Sequence, residues 1–294
     1  MPSLKEVKSR IASVSSTQQI TKAMKMVAAA KLRKAQDRII RMRPYSQKLS
    51  NILQNVSTDN DTDIVNPYAE ERPVDKVLVV AISSDKGLCG PFNSNVFKVA
   101  GKLVEEKYGT SRDSGNLTVM PIGKRAFDFF KKKSVKLVKD HTNLFGSLSF
   151  EQVREAAEHA MHGFVEEKYH RVDLVYNEFK NVATQVLRVE QFLPMVPINA
   201  QEGETVKGNY IYEPSKVEII EELIPKSLKL KFYTALLESN ASEHGARMTA
   251  MDQATENAGE LLRELKLTYN RTRQAAITKE ILEIVAGAEA LSGR

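Results

Sequence analysis

A glycine-containing turn is the first group of residues whose types and spacing could carry chemistry. It reads G-L-C-G-P at residues 87–91 and follows a short apolar run, which favours a dinucleotide-binding interpretation. The turn lacks the G-x-G-x-x-G spacing, Pro91 removes a backbone donor, and no G-K-[ST] sequence occurs in the chain. A nucleotide-binding enzyme is therefore kept only as the third hypothesis.

Two histidines form the second such group. His159 and His162 lie three residues apart on a predicted helix, where they could share a metal ion. No nearby cysteine or third histidine completes a site, so a solvated helical face is the better interpretation. Ser-His-acid, G-x-S-x-G and zinc signatures are also missing. The sequence thus predicts no catalytic residue, metal or cofactor in this chain.

Length and composition limit the class of protein. The 294 residues suffice for two average domains, or for one domain with long elongated elements. There is no run of 18 apolar residues, so we expect any membrane link to run through partners. Cys89 is the single cysteine, which excludes an internal disulfide and fits a reducing compartment.

Charge is unevenly distributed along the chain. The net charge is +6, but the first fifty residues alone carry twelve Lys or Arg and only two acids, a balance of +10. Such an arm is typical of nucleic-acid binding, of a targeting presequence or of a surface for an acidic protein, and it can also be a merely solvated face. Only 7% of residues are aromatic and none is tryptophan, which argues against base stacking.

The basic arm has the pattern of a coiled-coil helix. Neither proline nor glycine interrupts residues 3–43, and Pro44 is expected to kink the helix without ending it before about residue 56. Heptad positions are filled by Leu4, Ile11, Gln18, Lys25, Leu32 and Ile39, and by Val7, Val14, Thr21, Ala28, Ala35 and Met42. Because a disposable leader has no reason to maintain these heptads, the arm is interpreted as mature structure.

A second apolar patch lies beside this seam. It consists of Ile20, Met24 and Val27, and it is surrounded by Lys22, Lys25 and Lys31. The patch is interpreted either as local packing or as a place where a partner touches the helix.

The middle of the chain alternates strands and helices. Strands are predicted at 76–83, 117–122 and 172–177, with helices at 93–108, 124–131 and 150–169. Further edge strands are predicted at 184–193 and 209–212. The pattern indicates a small Rossmann-like α/β domain with a mainly parallel sheet.

A second long helix is predicted from residue 226 to residue 290. Its seam positions are Leu230, Tyr233, Leu237, Asn240, His244, Arg247, Met251, Ala254, Ala258, Leu261, Leu265, Thr268, Thr272 and Ala275. The centre of this seam is polar, at Asn240, His244 and Arg247. Two such helices in one chain can pair only antiparallel. Two registers remain open. The first pairs Ile11 with Leu261 and Val7 with Leu265 but brings Lys25 near Arg247; the second is shifted by one heptad and relieves that repulsion. The first, which sets Thr21 opposite about residue 251 where the second sets it opposite about 244, is preferred because it gives residues 261–265 larger partners.

The end of this second helix breaks the seam. From Ile277 onward, apolar residues including Ile281, Leu282, Ile284 and Val285 point around most of the helix. A helix that is apolar on all sides is normally buried. The N-terminal helix is too short to cover it, so we expect other chains to do so.

Four motifs together resemble the gamma subunit of F-type rotary ATP synthases. They are T-K-A-M-K-M-V-A-A-A-K from residue 21, S-S-D-K-G-L-C-G from residue 83, A-R-M-T-A-M from residue 246 and I-T-K-E-I-L-E-I-V-A-G-A-E-A from residue 277. The resemblance spans nearly the whole chain. It implies a central stalk that turns inside a hexamer of three alpha and three beta subunits and rests on a ring of c subunits beside epsilon, with delta touched at most indirectly.

The resemblance also implies roles for individual residues. Contacts with beta subunits fall on Lys22, Met24, Lys25, Arg247, Gln274 and Thr278. An apolar sleeve surrounds Ile277, Ile281, Ile284 and Val285. The foot near the c-ring and epsilon includes Tyr210, Tyr212 and Glu213.

The sequence thus predicts an α/β plus coiled-coil fold divided into an N-terminal helix (1–57), an α/β foot domain (75–213) and a C-terminal helix (214–294). The expected function is that of a non-catalytic rotor shaft with no nucleic acid and no direct membrane contact. It would be peripheral at the cytoplasmic face of a bacterial inner membrane, with the mitochondrial matrix side as the alternative. A basic coiled-coil nucleic-acid-binding protein is the second hypothesis.

Overall fold

The computed structural model describes residues 3–58, 66–133, 135–182, 184–195 and 216–293. Its helices are α1 (Leu4–Thr58), α2 (Phe92–Lys102), α3 (Gly109–Asp113), α4 (Lys124–Phe130), α5 (Phe150–Val165) and α6 (Lys216–Ser292). Its strands are β1 (Val77–Ile82), β2 (Leu117–Ile122), β3 (Lys136–Leu137), β4 (Arg171–Phe179) and β5 (Gln185–Leu193). The predicted combination of two long terminal helices with a small α/β domain is confirmed.

The chain forms two compact units. One contains Met1–Ala28 and Met248–Arg294, that is, the N-terminal half of α1 and the C-terminal part of α6. The other, Ala29–Arg247, holds the remainder of both helices together with the whole sheet.

The sheet has the strand order β3-β2-β1-β4-β5. The first four strands are parallel. The strand β5 lies at an edge of the sheet, as predicted, and is antiparallel to β4. The chain leaves β1 towards β2 on one side and later returns to β4 on the other. The topological switch point therefore lies between β1 and β4, where ligands usually bind in such sheets.

The core lies on the central strands. All six residues of β1 are buried, as expected for a parallel strand covered on both faces. On one face, Val96 and Ala100 of α2 and Ala126 and Phe130 of α4 pack with the strands. The helix α5 contacts β4.

Two predicted helices differ from the structure near their C-terminal ends. The helix predicted at 93–108 changes to a π-helical turn at Leu103–Lys107, which turns the Tyr108 hydroxyl onto the buried carboxylate of Asp173. The helix predicted at 150–169 ends at Val165, where Glu167 takes a left-handed φ of 58° and the ring of Tyr169 packs against Gly163.

Other boundaries were also wrong. The short elements α3 and β3 were not predicted, because two to five residues are too few to show a period. The helix α6 begins ten residues before the predicted start and contains Pro225. Burial of Ile224 and Leu228 on either side of Pro225 offsets the lost backbone hydrogen bond. The strand predicted at 209–212 falls outside the described residues.

The seam of α1 is confirmed by burial. Val7, Thr21, Ala28, Leu32, Ala35 and Ile39 are buried, and the other predicted seam residues of α1 are half-buried. The seam of α6 in the first unit is only half right. Met251, Ala258, Leu265 and Thr272 face inward, but Leu261 is 44% exposed and Thr268 is exposed.

Polar contacts explain the corrected face of α6. The Thr255 hydroxyl donates to the hydroxyl of Thr21 at 2.8 Å, and the amide of Gln18 donates to the Thr255 carbonyl at 3.4 Å. Thr255 faces inward, and Leu262 lies seven residues later on the same face of the helix. Leu262 is therefore half-buried in the position predicted for Leu261. Thr21 thus lies opposite Thr255. This is about one helical turn beyond residue 251, which the preferred register set opposite Thr21, and about three turns beyond residue 244, which the other register set there.

Gly123 offers a test of the sheet-end packing. It has a φ of 93°, and an added Cβ would lie within 2.8 Å of the Ser83 hydroxyl and against the Ser83 carbonyl. We expect Gly123→Ala to lower the free energy of unfolding by about 3 kcal/mol or more, from strain and overpacking together. Chemical denaturation measures it. Gly109→Ala, where a Cβ meets nothing within 4 Å, is the control and should change stability by less than about 1 kcal/mol.

The register is testable by cross-linking. Thr21→Cys with Thr255→Cys replaces two hydroxyls that are 2.8 Å apart, so a disulfide should form on mild oxidation and shift the mobility of the chain on a non-reducing gel. The pair Ile11→Cys and Ala254→Cys follows the other register and should stay reduced. Cross-linking of the second pair but not the first would contradict the observed register.

Candidate functional site

Two of the three residues of the apolar patch on α1 are exposed. Ile20 and Val27 are 56% and 57% exposed, whereas Met24 is half-buried. Lys22 is exposed, and the ammonium of Lys25 lies 2.5 Å from the Asp252 carboxylate on α6. Both partners of this ion pair remain well exposed, so it contributes at most about 1 kcal/mol.

The C-terminal part of α6 carries the largest run of exposed apolar side chains in the described residues. Ile277, Ile281, Leu282, Ile284 and Val285 are between 48% and 66% exposed. On the same stretch, Gln274 and Thr278 are exposed, and the Thr278 hydroxyl donates to the Gln274 carbonyl at 3.0 Å. We call the five apolar residues of this stretch, Ile277, Ile281, Leu282, Ile284 and Val285, the tip.

Arg247 lies in a different setting from the other predicted contact residues. Its side chain is 11% exposed. The guanidinium donates to the carbonyls of Lys86 (3.1 Å) and Gly87 and to the carboxylate of Glu243 (2.6 Å). The structure therefore brings Arg247 to the glycine turn within its own chain.

The crevice at the switch point is filled by α6. At the carboxyl end of β4, the Phe179 amide donates to the Glu238 carboxylate at 2.9 Å, and the Ser242 hydroxyl donates to the Asn177 carbonyl at 3.1 Å. At the carboxyl end of β1, Arg247 binds the turn. Side chains of this chain thus occupy the place where a doubly wound sheet binds nucleotide phosphates.

The glycine turn is bound to its own side chains. The Asn93 carboxamide accepts from the Ser84 amide at 3.0 Å, and its amino group donates to the Ser84 hydroxyl at 2.8 Å. Cys89 is buried with Phe92 and Ala246, and this burial raises the pKa of its thiol. The thiol is therefore protonated and part of the packing.

The two histidines do not come together as a metal site. His159 packs edge-to-face with His141, with ring centroids 5.5 Å apart, and His162 is exposed. Burial lowers the pKa of both His141 and His159. Among the residues that the structure describes, no group of three metal-ligating side chains is found. The foot residues Tyr210, Tyr212 and Glu213 lie outside the described residues.

Sequence reasoning missed several of these polar contacts. It identified Asn240, His244 and Arg247 as the polar centre of α6, but not Glu238, Ser242 or Glu243. The signal available was Glu243, four residues before Arg247, which is the spacing of an ion pair on one helix. Burial raises the pKa of Glu243 despite Arg247, because the carboxylate loses its water.

Within the described ranges, no helix is both long enough and apolar enough to cross a membrane.

Comparison with known proteins gives the family. A family model described as ATP synthase matches residues 3–291. The ATP synthase gamma chain of Cytophaga hutchinsonii is 56% identical over 294 residues, covering 99% of this chain and 100% of the relative. That of Christiangramia forsetii is 54% identical over 293 residues, covering 100% of both.

Solved structures share the fold. The rotor of the Euglena gracilis mitochondrial ATP synthase matches with a TM-score of 0.65 and 22% identity, covering 93% of this chain and 98% of that one. A chain of the OSCP/F1/c-ring structure from the same organism matches with a TM-score of 0.66 and 22% identity, covering 98% and 94%. The chain belongs to the ATP synthase gamma chain family. This membership favours the stalk hypothesis over the nucleic-acid-binding one.

Burial of His244 predicts a pH dependence of stability. Burial, together with Lys31 and Arg247, lowers the pKa of His244 to about 4, and its Nδ1 atom has no hydrogen-bond partner. Between about pH 6.5 and 4 the unfolded chain takes up a proton that the folded chain does not. The free energy of unfolding should therefore fall as the pH falls through this window, by on the order of 3 kcal/mol from this group.

His244→Gln should make this fall in stability smaller. Urea denaturation at pH 7 and pH 5 compares the variant with the parent. His162→Gln, an exposed histidine on α5, controls for loss of a histidine as such. Equal pH dependence in parent and His244→Gln would contradict the prediction.

Proposed function

We propose that this chain is the central rotor shaft of an F-type ATP synthase. It turns inside the alpha–beta hexamer and couples rotation of the membrane c-ring to ATP synthesis, or the reverse during hydrolysis. The observation that carries the proposal is the tip, whose large apolar side chains are about half or more exposed. Exposed apolar surface of this extent marks a binding site for another chain.

A rotor bearing needs contacts of a particular kind. Dispersion and exclusion of water act without preferred direction, so they allow a helix to turn inside an apolar sleeve. Ile277, Ile281, Ile284 and Val285 supply such contacts around the helix. Directional hydrogen bonds at the tip would instead favour one angle.

Torque from the beta subunits acts on polar groups in this proposal. Lys22 presents positive charge to acidic beta loops, and so does Lys25, whose exposed ion pair with Asp252 is weak enough to be exchanged for a beta carboxylate; Met24 lies between them in sequence. Gln274 and Thr278 add polar contacts next to the tip. The shaft is asymmetric, so each beta subunit meets a different face at a given angle. Each catalytic site is thereby held in a different nucleotide affinity, and rotation permutes the three states.

The remaining partners in this proposal are those that the resemblance implies. The foot, including Tyr210, Tyr212 and Glu213, contacts the c-ring and epsilon, with delta reached only indirectly. We infer that the chain does not itself catalyse the reaction, since in the described residues side chains of α6 bind the carboxyl ends of β1 and β4, where a doubly wound sheet usually binds a nucleotide. Its place is the cytoplasmic face of a bacterial inner membrane, where the c-ring is its only link to the bilayer.

The tip supplies the test. Ile284→Asp places a carboxylate in the apolar sleeve, where its desolvation costs several kcal/mol at every angle. We expect the yield of the complex with alpha and beta subunits to fall by about tenfold or more. Size-exclusion chromatography measures the yield, and ATP hydrolysis of the complex is recorded alongside.

Gln253→Asp is the matched control, since it adds a carboxylate at an exposed position on the same helix, N-terminal to the tip. It should assemble as the parent does. Full assembly of Ile284→Asp would mean that the tip is open to solvent in the complex, which is incompatible with a sleeve.

A further inference from the structure

The segment of α6 from Glu238 to Arg247 is held by the α/β domain on opposite sides. Glu238 and Ser242 bind the carboxyl end of β4, and Arg247 binds the turn after β1. At 3.6 residues per turn, Arg247 points about 180° away from Glu238 and about 140° away from Ser242. One element of the domain therefore lies on each side of the helix.

Further contacts continue along the helix towards its N-terminus. The Lys231 ammonium lies 3.0 Å from both the Glu190 carboxylate and the Gln191 carbonyl on β5. The Lys229 ammonium lies 2.6 Å from Glu158 on α5. With β4 and the turn after β1, four parts of the domain thus bind α6 through polar groups.

The polar contacts of these five residues, Lys229, Lys231, Glu238, Ser242 and Arg247, are here called the grip. We propose that the grip is the connection through which the α/β domain turns α6, and that Arg247 is its principal positioning residue. The proposal rests on the rotor function and adds a role for residues that the resemblance had assigned to beta contacts or had not assigned at all. The Arg247 guanidinium is mostly buried against backbone carbonyls of the glycine turn, so it acts inside the chain.

The physical reason is directionality. Apolar packing alone lets a helix slip about its own axis, because dispersion has no preferred angle. Hydrogen bonds weaken steeply when their geometry is distorted, and bonds of the planar guanidinium fork to fixed acceptors are especially restrictive. Ties on opposite sides of a helix resist its rotation in both senses, as torque transmission requires.

The nature of the acceptors strengthens the grip. Lys86 and Gly87 offer backbone carbonyls, and the turn that carries them is fixed by the hydrogen bonds of Ser84 and Asn93. Cys89 and Ala246 pack together in the same place. A load on Arg247 is thus passed to the backbone that continues directly from β1.

The test measures torsional stiffness in the assembled complex. The parent chain carries Lys132→Cys, an exposed position in the α/β domain, as the attachment point for a gold rod, since Cys89 is buried. The chain is assembled with alpha and beta subunits, the hexamer is fixed to a surface, and the angular spread of the rod is recorded during pauses at limiting ATP.

Arg247→Gln should increase the angular variance about twofold, because it removes the charged fork that binds the turn. Arg247→Lys keeps the charge but not the fork, so its variance should be intermediate; it also serves if Arg247→Gln fails to assemble. Arg263→Gln, an exposed arginine on the same helix, should match the parent. A lower yield or melting temperature alone would not change this readout.

Variance equal to the parent's in both Arg247 variants would overturn the grip, whatever their hydrolysis rates. A parent complex that assembles but does not rotate would overturn the proposed function, and the grip with it. The two failures are therefore distinguishable.

Discussion

The seating of α6 at the carboxyl ends of β1 and β4 is the interaction on which the α/β domain depends. Glu238, Ser242 and Arg247 satisfy backbone groups of β4 and of the turn after β1. In a doubly wound sheet these groups usually face a ligand. In this chain α6 binds there instead of a ligand, so a sheet of the nucleotide-binding type serves to hold a helix. Pairing of the two charges offsets part of the cost of burying Glu243 and Arg247, but not all of it, because burial still raises the pKa of Glu243.

The helix α6 uses two kinds of contact at two places. Between Glu238 and Arg247 its side chains make directional hydrogen bonds with groups of the α/β domain. At the tip its side chains are large, apolar and exposed, and they offer only contacts that are insensitive to angle. A rotor shaft needs both kinds of contact. It must be fixed to the α/β domain, which turns it, and it must be free to rotate where the surrounding subunits enclose its tip. The same helix satisfies both needs by changing its composition along its length.

The coiled coil of the first unit shows how polar residues set a register. An all-apolar seam would tolerate a shift of one heptad at little cost, since one aliphatic contact replaces another. Gln18, Thr21 and Thr255 instead bond one another, and Lys25 meets Asp252. Sliding the helices would separate these pairs, and the half-buried polar groups would lose their partners. These residues add little net stability but specify one alignment.

The sequence by itself determined the two long helices, the central strands and the exposed apolar tip, because these features follow from local periodicity and from long runs without helix breakers. It also located the polar centre of α6. It did not show what that centre binds, or that Leu262 replaces Leu261 in the seam. Those outcomes depend on contacts between residues 160 or more positions apart, such as Arg247 with Gly87 and Thr21 with Thr255. Only the tertiary structure decided them. Local sequence does not distinguish Leu261 from Leu262 as the buried leucine, and it does not show which carbonyls accept from Arg247, because both choices depend on the partner that packing brings near.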